Sequence, residues 1–528
     1  MNKHFFLSAT LLVCSHLAFG QGAAYDYADD AFRFSDFNQN GTARFRGLGG
    51  NHAALGGDAS NLSGNPAGLA FYNRSEISIS PMFTSSNNQN TFLGQQTNSS
   101  SGKVSVGQFG AIFAGGNNNG SRRLRRSAWG VTYTQSANFF DYSNARGLNN
   151  NPNSSIAQSY VEGANSAAYS ETDLINGFYP NDRQADFREA AAYGLFLINP
   201  TTTTTPSYSG PPYTRFDVNT QKDQQSTISR SGTHSQWTLA YAGNLDDKLY
   251  IGGSIALTHL RYSSEFNFIE SPVNGQYFVN YGQVNRFDVR GNGINASFGL
   301  IYKVIPDLQI GVTATSPTWS SANEVFSQTL TANVKSPNPG NISLMTNYVD
   351  VVDPSNNFEY TLQTPFRGSF GATYFINKGK IGFITATAEY VNYEGMRVRT
   401  SAFTNQQDNT NFKNDVKGFV QETYQNVVNL RAGAEIRAGL LRVRAGVGYL
   451  PSAYKLDLDR VAATDRSKLL LSAGLGMRND RFFADLAASY LTYKSGYSPY
   501  QLNNDSASPT VAINNRTANV MLSVGVFF

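Results

Sequence analysis

The chain has 528 residues, of which 41 are Lys or Arg and 37 are Asp or Glu, giving a net charge of +4. So small and scattered an excess offers no basic face of the kind that nucleic acid requires. Charged residues make up only 15% of the chain, against roughly 25% in ordinary soluble domains. Aromatics reach 13% and glycines number 48, a balance that suits a sheet whose outer face meets lipid.

The first twenty residues read as a secretory signal peptide (1–20). Lys3 supplies the positive start, residues 5–19 the apolar core, and Ala18-Phe19-Gly20 a small-residue cleavage site before Gln21. That core is too short to span a membrane, and no later stretch approaches the roughly 20 uninterrupted apolar residues that a spanning helix needs. Cys14, the only cysteine, lies inside the signal, so neither a disulfide framework nor a thiolate metal site is expected in the mature chain. A lipid attachment at Cys14 would want a small residue where Val13 stands.

Residues 21–75 are rich in Gly, Asn and Ala, lack strand alternation, and read as a compact plug. Residues 76–528 then settle into alternating runs. Strands are expected near 76–84, 103–114, 127–139, 234–245, 248–268, 283–303, 307–330, 357–375, 379–399, 425–438, 440–450, 467–478, 481–494 and 517–528. Very short turns such as "NLDDK", "VIPD" and "RND" alternate with long connections at 85–102, 140–233, 269–282, 331–356, 400–424, 451–466 and 495–516. Fourteen antiparallel strands with tight turns at one end and long loops at the other describe a transmembrane β-barrel, the one strand architecture that satisfies every backbone group in lipid. A soluble secreted β-sandwich also alternates, but it explains neither the loop asymmetry nor the ending on Phe528.

The parity of single runs supports the barrel. Leu469, Leu471, Ala473, Leu475 and Met477 oppose Leu470, Ser472, Gly474 and Gly476, one greasy face against one mixed. The chain closes on "ANVMLSVGVFF", in which Val520, Leu522, Val524, Val526 and Phe528 share one parity. Several runs exceed the roughly 9–11 residues that cross a bilayer at a tilt, so the wall is expected to continue beyond the outer surface. The longest connection, 140–233, holds two Ala-rich stretches of helical character, "SSIAQSYVEGANSAAYSETDLINGF" and "DFREAAAYGLFLI", readable as a lid or as a mobile surface excursion ending in "TTTTTP".

At "DASNLSGNPAGLAFY", with Asp58 followed by Asn65-Pro66-Ala67-Gly68-Leu69, the chain resembles the FadL/TodX family of outer-membrane transport proteins for hydrophobic compounds. Similar stretches follow at "TPFRGSFGATYFI", "LRVRAGVGYLPSAY" and "KLLLSAGLGMRNDRFFADLAASYLTY", so the likeness runs over roughly 40–528 and is faint through 140–233 and 331–356. The resemblance implies a monomeric fourteen-stranded barrel in the outer membrane, plugged by an amino-terminal hatch. Fatty acids or other apolar molecules would be captured near the extracellular loops and released through a wall gap or past a shifted hatch. It also implies that the assembly machinery of that membrane reads the terminal aromatic. Two other readings share the barrel: an escort for exported proteins in a secretion system, and a structural surface barrel with a sealed lumen.

Three constellations carry the candidate site. Pro66 between Gly64 and Gly68 should preset a tight turn that Asn65 closes, either as plain structure or as the element that moves during gating. Parity places Arg431, Glu435, Arg437, Arg442 and Arg444 on the lumen side, where Glu389 and Asp485 complete a charged ladder. Such a ladder either props the barrel and binds the hatch or offers one arginine to a substrate carboxylate. "GLGGNHAALGGD" neither follows a strand nor opens a helix, so it is no phosphate loop. The mature histidines, His52, His234 and His259, lack a serine two positions on, where Ala54, Gln236 and Arg261 stand. No enzyme activity, cofactor or metal is therefore expected.

Overall fold

The computed structural model describes residues 24–37, 41–116, 123–201, 212–217, 220–337, 343–352, 357–455 and 465–528. The expected signal peptide and all but the first threonine of the 201–205 tract lie outside these. Fourteen antiparallel strands form one closed wall. They are β1 (Glu76–Phe92), β2 (Gln95–Gly116), β3 (Leu124–Asn138, resumed at Asp141–Asn149), β4 (Lys222–Leu245), β5 (Leu249–Pro272), β6 (Phe278–Ile305) and β7 (Leu308–Thr315, resumed at Trp319–Val334). Then come β8 (Phe358–Gln363 and Arg367–Ile376), β9 (Gly382–Val391 and Arg397–Arg399), β10 (Val427–Ala438), β11 (Leu441–Leu450), β12 (Lys468–Arg478), β13 (Phe482–Tyr497) and β14 (Val511–Phe527).

Closure falls between the first and last strands. Glu76 pairs with Phe527 and Phe92 with Val511 along one register, and the backbones of Ser75 and Phe528 exchange two hydrogen bonds of 3.0 Å. Val520, Leu522, Val524, Val526 and Phe528 are all exposed, so the parity of the terminal run is the parity of the lipid face. Exposed aromatics mark its two edges: Tyr302, Tyr374, Phe482 and Phe528 near the short turns, and Trp237, Trp319, Tyr390, Tyr449 and Tyr490 further up. From Phe482 to Tyr490 the wall climbs ~20 Å at a rise of ~3.3 Å per residue and a tilt of ~40°, close to the apolar band of such barrels. Among the described residues no helix is long and apolar enough to cross a membrane.

Several expected connections carry regular structure. Residues 85–102 are not a loop: β1 continues to Phe92 and β2 starts at Gln95, joined by Leu93 and Gly94 at φ 49° and 80°. The stretch "SSNNQN" is polar because its inward face is buried on polar partners rather than apolar ones: Ser86 and Asn88 donate to Asp141 at 2.9 and 2.7 Å, and Asn90 accepts from Ser143 at 2.6 Å. Likewise Asp141–Asn149 and Lys222 onward extend the wall into the expected 140–233 loop.

That loop folds down. Helices α3 (Ile156–Ser166), α4 (Glu171–Asn176) and α5 (Arg188–Gly194) bury Ile156, Tyr160, Leu174 and Leu197 against Phe92, Phe268, Phe278 and Leu330 of the wall. The start of α3 is pinned because Glu270 on β5 accepts from the Ile156 amide at 3.0 Å and the Ser155 hydroxyl at 2.5 Å, a carboxylate at the positive helix end. The amino-terminal helix α1 (Ala24–Arg33) stands inside the mouth under α6 (Gln406–Thr423), a helix formed within the expected 400–424 loop. Tyr27 meets Phe412 at 5.0 Å and Phe358 at 5.3 Å, and the Tyr424 hydroxyl donates to Asp29 at 2.6 Å.

Candidate functional site: the plugged lumen

From α1 the chain descends into the lumen, where α2 (Ala43–Gly47) and two short 3-10 turns, Ala59–Leu62 and Pro66–Phe71, fill the lower barrel. Asp58 ties this hatch together. Its carboxylate accepts from the Ser60 amide and the Thr42 hydroxyl, both at 2.9 Å, while its own amide donates to Asn61 at 3.2 Å. Asn65 caps the second turn, its Oδ1 accepting from the Ala67 amide at 3.1 Å, and Pro66 occupies the first turn position, where a missing N–H leaves nothing unsatisfied. The Asn65 amide donates to Ala53 O at 2.5 Å and points at Leu300 O and Val312 O of β6 and β7, both 3.4 Å away. Ala67 and Gly68 are buried behind it. The wall yields to this contact: a Cβ on Gly299 would sit 1.9 Å from Asn65 Oδ1, and one on Gly252 2.5 Å from the Pro66 carbonyl carbon. These inward glycines were not singled out in the sequence, although their place on the inward parity of β5 and β6 was a usable signal.

The expected charged ladder divides into two clusters. In the upper one Glu389 accepts from Arg431 at 3.0 Å and Asn429 at 3.1 Å, with Arg367 of β8 at 3.5 Å. His52 of the hatch approaches this level, its Nε2 lying 3.4 Å from the Ser369 hydroxyl. In the lower cluster Glu435 accepts from Arg444 and Arg437, each at 2.8 Å, and Arg444 also bonds Asp485. Arg44 of the hatch reaches Glu435 at 3.9 Å. Arg442 stands apart, donating to the turn carbonyls of Gly439 and Leu441 at 2.7 and 2.9 Å. Neighbouring Arg46 is buried in the hatch, and that burial pushes its guanidinium down to about 10. Arg44 could not be joined to the ladder from sequence, because its proximity comes from the hatch fold, whereas Arg367 sits two residues from Ser369, the cross-strand partner of Glu389 in one hairpin, a signal that was not used.

Of the cavities that remain, three bear on the site. A central one of about 120 Å³ lies between hatch and wall and is lined largely by hydroxyls such as Ser136, Thr238, Ser254, Thr318 and Ser369. Above it an outer chamber of about 920 Å³ is enclosed by α1, α5 and the inner faces of β4 to β7. A side cavity of about 490 Å³ adjoins the chamber, sharing Asp29, Arg33, Arg230 and Tyr497 with it, and sets Met82, Leu470, Leu491 and Ile513 against Arg46, Arg466 and Lys468. Among the described residues no group of three or more His, Cys, Asp or Glu could hold a metal ion.

The wall is incomplete beside that side cavity. The β2–β3 ladder ends at Gln108 opposite Thr134, and β3 slips register against β4 between Gln135 and Ala137 before stopping at Asn138. Above this point β2 pairs only with β1, and the resumed β3 reaches β2 through side chains, the Asn144 amide donating to Ser99 Oγ at 2.9 Å. Residues Gln135 to Phe139, at the interruption, line the side cavity.

The chain is similar in structure to a Pseudomonas aeruginosa FadL homologue, with 10% identity, coverage of 93% of this chain and 99% of that one, and a TM-score of 0.53. It is likewise similar to the toluene transporter TodX of P. putida, with 13% identity, the same coverage and a TM-score of 0.50. No family model matches the sequence, and no curated protein does. At these identities the likeness is one of fold: a FadL-type barrel of fourteen strands closed around an amino-terminal hatch.

Proposed function

We propose that this barrel is an outer-membrane channel through which hydrophobic small molecules diffuse passively. They enter beneath the α3–α5 lid, rest in the outer chamber and side cavity, and leave sideways where β3 parts from β2. The observation that carries this reading is the interruption of the backbone ladder next to an amphipathic cavity. A greasy molecule gains nothing by continuing downward, because the hatch presents hydroxyls and ion pairs and is bonded to the wall through Ala43, Gly49 and Ala54. Leaving through the side returns it to apolar surroundings at roughly 25 cal/mol per Å². Hatch movement is then local, a shift of the chain beside the β3 break. The similar P. putida barrel is a toluene transporter, which fits the same class of cargo, and the resemblance seen in the sequence implies fatty acids within it.

The reading is tested by uptake of tritiated dodecanol into cells that lack other channels of this type. Expression of the protein should raise the initial rate several-fold over empty vector, and an equal rate would contradict the proposal.

A further inference from the structure

Resting on that reading, we infer that the outer chamber selects hydrophobic or aromatic molecules bearing a protonated or quaternary ammonium group, and disfavours carboxylates. The chamber, at about 920 Å³, falls within the size range of small-molecule sites. Its lining carries six Asp and Glu side chains against Arg33, Arg188 and Arg230. Each of these cations is already engaged: Arg33 with Asp30, Arg188 with Glu189 at 2.8 Å, and Arg230 with Asp141 at 3.2 Å. An incoming carboxylate would have to share a guanidinium with an acid already paired to it.

The acids are differently placed. Asp29 and Asp186 have hydroxyl donors, Tyr424 at 2.6 Å and Tyr179 at 2.9 Å. Glu324 on β7 is 7% exposed and lines the chamber beside Tyr27, and its Oε2 has no hydrogen-bond partner within 3.5 Å. The hydroxyl of nearby Tyr360, 3% exposed, is unpartnered as well. Burying a carboxylate oxygen with nothing to meet it is unfavourable until a proton or a cation joins it. Around it the walls offer aromatic faces, among them Phe187, Phe266, Phe287, Phe326 and Tyr497, which attract ammonium groups through their quadrupoles. A buried acid set among aromatic rings is the chemistry that recognises an organic cation with an apolar body.

The test compares three probes of equal chain length, dodecyltrimethylammonium, dodecanol and dodecanoate, titrated into the full protein in nanodiscs at one pH. The cation should bind at least about tenfold tighter than the anion. Glu324→Gln should weaken the cation at least about fivefold more than it weakens dodecanol. Asp186→Asn on the lid should act in the same direction, which guards against a folding failure of the first variant. Equal binding of cation and anion, preference for dodecanoate, or an unchanged cation preference in Glu324→Gln would overturn the inference while leaving the channel reading in place. Failure of all three probes to bind would overturn both.

Discussion

Replacing Asn65 with Ala should loosen residues 53–70 of the hatch without opening the barrel. The side chain does two things: it caps the Pro66–Phe71 turn through the Ala67 amide at 3.1 Å, and it satisfies the Ala53 carbonyl at 2.5 Å. Loss of a cap costs about 1 kcal/mol, and a buried carbonyl left without its donor costs about 1–3 kcal/mol more. The two 3.4 Å approaches to β6 and β7 are too long to add much. The total, about 2–4 kcal/mol, raises the population of a locally opened 53–70 segment by a factor of roughly 30 to 1,000. Hydrogen exchange of residues 53–70 in Asn65→Ala, against amides of β10 to β12 as an internal reference, reads this directly. Hatch protection should fall by at least ~30-fold while the wall is unchanged. A change of less than ~3-fold would show that Asn65 does not hold this segment together.

Other consequences follow from the lumen charges. Arg444→Ala removes the cation that Asp485, 6% exposed, faces and one of three that meet Glu435. Breaking one partner of such a buried network costs about 3–5 kcal/mol, measurable by urea unfolding in micelles, and a triple variant Arg444→Met, Glu435→Gln, Asp485→Asn should recover much of it. Burial pushes Asp30 of α1 up to about 6, although Arg33 beside it acts the other way. A raised carboxyl favours the docked helix when protonated, so docking of α1 is strongest below about pH 4 and weakens as pH rises through 6. The shift from 3.8 to about 6 is worth about 3 kcal/mol. Hydrogen exchange of α1, corrected for intrinsic rates, should therefore show more protection at pH 5 than at pH 7.5, and Asp30→Asn should remove the difference.

The architecture was legible where side chains repeat with the strand. Val520 to Phe528 and Leu469 to Met477 fixed both the period and the face, because lipid on one side and packing on the other enforce alternation. The same rule failed at Ser85–Asn98, where the buried face is filled by hydrogen-bonded Ser86, Asn88 and Asn90 instead of apolar side chains. Helix α6 was missed although Phe412, Val416, Phe419 and Val420 lie on one helical stripe, because eighteen residues rich in Asn, Gln and Asp read first as loop. In the site, Asp58, Asn65 and the lumen face of Arg431, Glu435 and Arg444 were visible, since local turn chemistry and parity place them. Arg44 with Glu435 and the chamber around Glu324 were not. Those contacts join residues far apart in the chain, and only the closed barrel brings them together. Arg367 with Glu389 was missed although the two lie on neighbouring strands of one hairpin.

The lateral exit is the claim on which the account depends, and a removable staple tests it most directly. With Cys14 inside the expected signal, the mature chain would hold no other cysteine, so Gly107→Cys and Gln135→Cys, at the positions next beyond the last β2–β3 pair, would form a single disulfide. Uptake of tritiated dodecanol by the oxidised double variant should fall at least about tenfold and return on reduction. Undiminished uptake through a fully oxidised staple would contradict the account.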